Sequence, residues 1–271
     1  MIASEIARTK NRAARHLRAW PLVVGVVAGT CSCNSSSSGT PPSNDAATPQ
    51  EETAPSLANT PNLILNPGAE LGPGTDGSTV PTSVPDWTTT GDANVIEYGS
   101  SGGFPDVSDG GSDAAPPDEG TNFFAGGPND PISTFTQQIS LAAYATDIAK
   151  GNVTFTLDGW LGGYSSQGDD ALVTVYFLDS ASASVLGAAA DGGESDDGGD
   201  AGLPPDVLAS ASIGPVTAAE RNDNTGFLFQ TTTGPVPTGT VAAEVQIVMT
   251  RYDGANNDGY ADNLSLTLGG N

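Results

Sequence analysis

From Asn62 onward the chain repeats short segments in which apolar and polar residues alternate, separated by clusters of Gly, Pro, Asn and Asp. In the clearest segment every second residue from 241 to 249 is apolar, while Glu244, Gln246 and Thr250 lie on the opposite side. A period of two is typical of a strand that packs one face on a core. Many half-buried strands with Gly- and Pro-rich turns predict an all-β fold, a two-sheet antiparallel sandwich.

Eight to ten segments have this strand pattern, and none of them reads as a long helix. They are NLIL, ANVIEYG, NFFAGG, TFTQQISL, NVTFTLDGWLGG, ALVTVYFLD, VLASASIG, TGFLFQTTT, TVAAEVQIVMTR and YADNLSLTL. The alternation also assigns two further core-facing sets, which are Val153, Phe155 and Leu157, and Val173, Val175 and Phe177. The stretch LAAYATDIAK is the one helical candidate, with room for one or two turns.

Composition divides the chain into a tether and one domain. Residues 34–60 are rich in Ser, Thr, Pro and Ala and too poor in apolar groups to fold, which predicts a disordered tether. Residues 61–271 form the predicted sandwich, with acidic Gly/Pro-rich insertions at 106–120 and 188–206. Neither insertion has the ligand spacing of an EF-hand or of a calcium-binding nonapeptide repeat, so we expect solvated loops.

The N-terminal residues 1–33 have the organisation of an export signal. A basic region ends at Trp20, and the apolar run PLVVGVVAG that follows is too short to span a bilayer. Cys31 and Cys33 come next, an arrangement that resembles the signal of bacterial lipoproteins. The resemblance implies lipidation at Cys33, or at Cys31, and anchoring at the outer cell surface or in the periplasm; simple secretion is the alternative.

The charge distribution restricts the partners. The first twenty residues contain five of the eight basic residues and one of the 32 acids, which leaves three basic and 31 acidic residues. Nucleic acids and anionic membranes are bound chiefly through Lys and Arg, so neither is an expected partner. We expect a neutral or cationic partner, a glycan or a surface protein, and contact with a membrane only through the lipid anchor.

The residues most often used in catalysis are missing from the predicted domain. The single histidine, His16, lies in the signal, and both cysteines lie at its end. The motif GSSGG around Ser101 matches a nucleophile elbow, but it lacks a histidine to accept the hydroxyl proton. Pairs of carboxylates are weak evidence for a glycosidase-like site, because some of the 31 acidic residues will lie near one another by chance. The sequence therefore predicts that this protein is not an enzyme.

Two carboxylates stand at opposite ends of the predicted sandwich. In GYADNLSLTL the alternation places Asp262 on the apolar side of the last strand, and Glu70 follows a Pro-Gly turn after the first. If the first and last strands lie together, the two charges meet and require protonation, hydrogen bonds or a cation. Calcium suits such an oxygen site. In the alternative, Asp262 caps a turn and Glu70 is exposed.

These residues resemble the galactose-binding-like jelly-roll family, which includes many carbohydrate-binding modules. The resemblance covers about 62–268 and rests on the order of three motifs: Asn66–Glu70, the Trp87 of VPDW, and Asp262–Leu264. It implies a jelly-roll sandwich whose structural calcium ion is held by Glu70 and Asp262. The chain departs from the family in having Ala69 where an aromatic residue is usual and Asp86 where a glycine is.

The resemblance also implies sugar binding, which requires aromatic faces together with amides and carboxylates. The stretch GWLGGYSSQGDD supplies the candidate ligand-binding residues, which are Trp160, Tyr164, Gln167, Asp169 and Asp170. Trp160 has the parity opposite to the core face of its strand, although a bulge at Gly159 could return it to the core. We expect both Trp160 and Trp87 in the core.

We therefore expect a non-catalytic glycan-binding module at the bacterial cell surface, stabilised by calcium. The alternative is a structural or adhesive envelope protein that binds another protein and no sugar.

Overall fold

The computed structural model describes residues 57–106, 116–181 and 204–270. The predicted signal, both candidate lipidation sites, nearly all of the tether and most of each acidic insertion lie outside the described residues. None of the described helices is long and apolar enough to cross a bilayer.

The described residues form a sandwich of two antiparallel five-stranded sheets, which confirms the predicted fold class. The first sheet has the order β1-β4-β9-β6-β7 and the second has the order β2-β3-β10-β5-β8. The strands are β1 (Thr88–Thr90), β2 (Asn94–Glu97), β3 (Asn122–Gly127), β4 (Ile132–Ser140), β5 (Val153–Gly163), β6 (Asp170–Leu178), β7 (Val207–Ile213), β8 (Gly226–Pro235), β9 (Ala242–Thr250) and β10 (Asn257–Gly270). Short 3₁₀ turns lie at Leu57–Asn59 and Ala142–Tyr144, and the second leads into the single helical turn α1 (Ala145–Ile148).

The main core lies between the sheets and is built from the faces that alternation predicted. The inward residues of the central strands β5, β6 and β9 are all buried in one cluster. Trp87 joins this core, as expected, with its ring edge-on to Phe124 and Phe135 at centroid distances of 5.3 and 6.4 Å. Its indole N–H donates to the carbonyl of Asn66, so the buried ring retains a polar partner.

One row of polar residues crosses all five strands on the outward face of the first sheet, which also carries Leu172, Val248 and Leu208. Strand register places Thr88, Thr136, Gln246, Thr174 and Ser212 in one line, which we call the outer polar row. Gln246 is only 2% exposed and its neighbour Glu244 only 1%, so both sides of β9 are buried. Neighbouring hydroxyls on this face pair at 2.8 Å between Thr174 and Ser212.

The segment before β1 lies along the last strand, so the two ends of the described domain meet as predicted. The Leu63 N–H donates to the Leu266 carbonyl, and the Leu264 N–H donates to the Pro67 carbonyl. The Asn62 side chain also donates to the Leu264 carbonyl and accepts from the Leu266 N–H. This segment takes the edge of β10 beyond Ala261, where pairing with β3 ends.

An extra residue in β10 changes which side Asp262 faces. Asp262 lies opposite Trp160 of β5, but Ser265 lies opposite Asp158, so β10 has one more residue than β5 between the two pairs. Asn263 occupies this bulge with a positive φ of 46°. Asp262 and Leu264 therefore point to opposite faces. The prediction that Asp262 shares the apolar side of Leu264 is wrong, because alternation cannot register an inserted residue.

Trp160 does not enter the main core, so that expectation is also wrong. The pairing of β5 with β8 runs through Gly159 without a register change, so no bulge turns the ring inward. Trp160 stays on the outer face of the second sheet and packs, partly buried, against a separate cluster. We call this the outer aromatic cluster; it comprises Ile96, Tyr98, Phe104, Phe123, Ala125, Trp160, Tyr164, Phe227 and Tyr260.

Candidate functional site

Asp262 is a buried carboxylate at the edge of the outer aromatic cluster. Its side chain is 0% exposed. Its Oδ2 accepts from the Tyr98 hydroxyl at 2.7 Å, and its Oδ1 accepts from the Asn263 N–H at 2.7 Å. Burial raises its pKa from 3.8 to about 8, the two hydrogen bonds oppose that rise, and the charges of Glu70 and Glu119 add to it.

Glu70 is exposed and lies where the first turn meets the start of β3. Its carboxylate accepts from the Thr121 N–H at 3.1 Å and from the Asn122 N–H at 3.0 Å. The Asn122 side chain donates in return to the Ala69 carbonyl at 3.1 Å. The turn that carries Glu70 is therefore fixed to the sheet that carries Asp262.

The space beside Gly68 tests whether these residues fit a calcium ion. A Cβ added to Gly68 would lie 3.1 Å from Asp262 Oδ1, 3.1 Å from Asn263 Oδ1 and 3.8 Å from Glu70 Cγ. Carboxylate and amide oxygens thus meet around a position that only glycine leaves open, and such hard oxygen donors suit calcium. Within the described ranges no three Asp, Glu, His or Cys side chains converge on one point. A calcium ion here would have Asp262 and Asn263 as its nearest side-chain oxygens, while Glu70 approaches with its Cγ and its carboxylate accepts from Thr121 and Asn122.

The predicted sugar-binding residues divide between two places. Trp160 lies on the outer face of the second sheet, whereas Tyr164, Gln167, Asp169 and Asp170 belong to the turn after β5 and the start of β6. Asp169 is 1% exposed. Its Oδ1 accepts from the N–H groups of Tyr252 and Asp253, and its Oδ2 accepts from that of Asp258. In this structure Asp169 therefore anchors a loop.

The other three residues of the turn are half-buried. Tyr164 packs against the outer aromatic cluster. The Gln167 N–H donates to the Tyr164 carbonyl at 3.0 Å, which closes the turn, and the buried Gln167 Oε1 has no hydrogen-bond partner among the described residues. Burial and the neighbouring Asp169 raise the pKa of Asp170.

Trp160 forms a pair with Phe229, a residue that the sequence analysis did not single out. The two lie opposite each other on β5 and β8, with ring centroids 5.6 Å apart and planes inclined at 60°. Phe229 is 51% exposed. We call this pair the aromatic platform. The alternation of TGFLFQ could have revealed it, since Phe227 and Phe229 share the side opposite to Leu228.

A polar line crosses the same face next to the aromatic platform. Ser265, Asp158 and Thr231 lie opposite one another on β10, β5 and β8. The Asp158 carboxylate hydrogen-bonds with Ser265, and burial raises its pKa. Asp158 and Trp160 are alternate residues of one strand, so they lie about 7 Å apart on the same face.

Arg221 is a second residue that sequence reasoning missed. It is 5% exposed, and its Nη1 donates to the carbonyls of Gly163 and Ser165 at 2.7 and 3.1 Å and to that of Asn224. Burial lowers its pKa. It therefore holds the turn after β5 in place through backbone carbonyls, a role that leaves no pattern in the sequence.

No protein-family model and no curated protein matches this sequence. Similar solved structures include the enzymatically active domain of tailspike protein 4 of bacteriophage CBA120, at 15% identity and a TM-score of 0.41. That likeness covers 78% of this chain but 21% of the tailspike chain, so this chain spans only a small part of it.

Carbohydrate-binding modules are also among the similar structures. A family 61 module in complex with β-1,4-galactotriose has 14% identity and a TM-score of 0.37, over 76% of this chain and 98% of that one. The CBM22-1 xylan-binding domain of Paenibacillus barcinonensis Xyn10C has 10% identity and a TM-score of 0.37, over 80% and 99%. These likenesses are distant, and the fold assignment rests on the strand pairing above.

Because burial raises the pKa of Asp262, we expect the metal-free protein to lose stability as the pH rises. The pKa of Asp262 is about 8 in the folded state and 3.8 in the unfolded state. Its contribution to the free energy of unfolding is therefore fully present below pH 3.8 and is lost as the pH rises through about 8. Thermal melts in chelator from about pH 4 to about pH 8.5 should show this decline, and Asp262→Asn should flatten it because an amide does not ionise. Parallel profiles for the two proteins would contradict the assignment.

Proposed function

We propose that this protein is a non-catalytic glycan-binding module, and that the aromatic platform is its sugar-contacting surface. The observation that carries the proposal is the pair on the outer face of the second sheet, in which the half-buried Trp160 lies beside the exposed Phe229. An apolar patch on the surface of a folded domain marks an interaction or ligand-binding surface more often than a lone apolar residue does. Stacking on a sugar ring is an apolar contact that such a pair can make.

The polar line beside the platform supports a sugar over a purely apolar ligand. The carboxylate of Asp158 and the hydroxyls of Ser265 and Thr231 supply both acceptors and donors for sugar hydroxyl groups. A sugar ring placed on Trp160 would reach Asp158, because the two side chains are alternate residues of one strand and lie on the same face. The platform and the polar line together resemble an apolar surface flanked by a few orienting polar groups, which is the usual composition of a ligand site.

A non-catalytic role agrees with the chemistry available near the platform. The domain sequence contains no histidine or cysteine, so neither a thiol nor an imidazole can act there. Asp158 is the half-buried carboxylate beside the platform and Asp262, opposite Trp160, is 0% exposed, whereas glycoside hydrolysis generally uses two carboxylates that both reach the scissile bond. The export pattern of residues 1–33 is the support for a location at the cell surface.

Binding to a glycan array should be positive for the purified protein, with galactan and xylan oligosaccharides among the probes because similar modules were solved with, or are named for, those ligands. Trp160→Ala and Phe229→Ala should each weaken binding about tenfold through loss of stacking. Tyr252 is an aromatic residue outside the platform and is 66% exposed, so Tyr252→Ala should leave binding unchanged.

Two results would contradict this proposal in different ways. Silence across plant, bacterial and animal glycans would reject glycan binding and favour the alternative of an envelope protein that binds another protein. Glycan binding that survives both platform substitutions would reject the platform and direct attention to the outer polar row of the first sheet.

We also propose that a structural calcium ion joins Glu70 to Asp262. The support is the buried carboxylate of Asp262, the proximity of Glu70, and the oxygen-lined space beside Gly68. Two carboxylates at one junction repel each other, and a divalent cation would remove that repulsion while tying the first turn to the last strand.

A chelator should lower the melting temperature, excess Ca²⁺ should restore it, and Asp262→Ala should abolish the difference. Gly68→Ala should weaken the Ca²⁺ effect without removing a ligand, because its methyl group would occupy the space between the oxygens. Gly168→Ala, on a distant turn, is the matched control. A wild-type melting curve that ignores both chelator and Ca²⁺ would reject the site.

A further inference from the structure

The face around the aromatic platform offers a carboxylate and hydroxyls but no basic side chain. The part of the chain that the structure describes has three basic residues, Lys150, Arg221 and Arg251, and each is engaged elsewhere. Lys150 pairs with Asp147 at 2.6 Å. Arg221 donates to the turn after β5, and Arg251 donates to the carbonyls of Asn129 and Ala255 at 2.8 and 2.6 Å. No cation is therefore available to balance a charge at the platform.

Asp158 is the charged group that faces a ligand on the platform. It is half-buried, lies two residues before Trp160 on the same face, and hydrogen-bonds with Ser265. Partial burial without a cationic partner costs the ionised carboxylate part of its hydration, and this raises its pKa. A cation brought by the ligand would restore that lost stabilisation through a charge-assisted hydrogen bond.

The charge of the whole chain acts in the same direction. The formal net charge is −24. Glycans that carry carboxylate or sulfate groups would be repelled both by this field and by Asp158, whereas cationic glycans would be attracted. Asp158 also determines where a cationic group would bind, because its carboxylate lies about the length of one sugar ring from the aromatic pair.

We propose that the platform prefers a glycan with free, protonated amino groups, such as an oligomer of glucosamine, with a sugar ring on Trp160 and Phe229 and an ammonium group at Asp158. This inference rests on the proposed glycan-binding function and specifies its substrate class. Acetylation of the amine should weaken binding, because it removes the charge while leaving the rings available for stacking.

Three oligosaccharides of equal length test the preference by titration calorimetry on the full chain: glucosamine, N-acetylglucosamine and galacturonate oligomers. At about pH 6 and low salt, glucosamine should bind about tenfold more tightly than its acetylated form, the lower range for a charge-assisted hydrogen bond at a half-exposed site. The galacturonate oligomer should bind weakest. High salt should reduce the difference.

Asp158→Asn and Asp86→Asn separate the local carboxylate from the general acidity. Both remove one negative charge, but Asp86 lies in the loop before β1 rather than on the platform face. The preference for glucosamine should collapse in Asp158→Asn and persist in Asp86→Asn, with melting temperatures showing that both variants are folded. Equal losses in the two variants would overturn the proposal.

The outcomes also separate the preference for amino sugars from the glycan-binding function on which it rests. Acetylated oligomers that bind as tightly as glucosamine, through Trp160, would overturn the amino-sugar preference while leaving glycan binding intact. Failure of every glycan, charged or neutral, would overturn the proposed function itself and with it the preference.

Discussion

The single extra residue at Asn263 is the constraint that sets both the position of Asp262 and the closure of the sandwich. Before it, β10 pairs with β3 and β5, and Asp262 lies opposite Trp160 on the outer face. After it, Leu264, Leu266 and Leu268 return to the main core, and the segment that precedes β1 takes the free edge of the strand. One bulge therefore closes the sandwich and places a carboxylate outside the core.

The two sites are neighbours on the same ladder but differ in solvation. Asp262 is buried beneath Tyr98 and is stable there as a protonated acid or as a ligand of a cation. The aromatic platform, one strand away, is open to solvent at Phe229. Because the two environments are separate, a cation bound at Asp262 would stabilise the fold without taking part in the glycan binding proposed for the platform.

Alternation predicted nine of the ten described strands, the sandwich and the core faces, because most side chains here follow the period of the backbone; NLIL is not a strand, and the short β1 was missed. It failed at Asp262 because an inserted residue reverses the parity of everything after it. At Trp160 alternation was right, and the expectation of a core position was wrong because it assumed a bulge at Gly159 that the β5–β8 ladder does not have.

Other features had no sequence signal to detect. Arg221 binds backbone carbonyls, and Asp169 binds three backbone N–H groups, so neither has a partner that a motif could name. Glu244 and Gln246 looked like ordinary solvent-facing positions, but both are buried on the outer side of β9. Glu70 and Asp262 lie near each other despite the parity error at Asp262, because the closure of the strands and not side-chain parity brings them together.

The central claim is that a sugar ring lies on Trp160 and Phe229. A crystal structure of the protein with its tightest-binding oligosaccharide tests it most directly. We expect electron density for a sugar ring stacked on this pair, with a polar group of the sugar at the Asp158 carboxylate. Density for the sugar on the outer polar row of the first sheet or in the loops, with the Trp160–Phe229 pair uncovered, would contradict it.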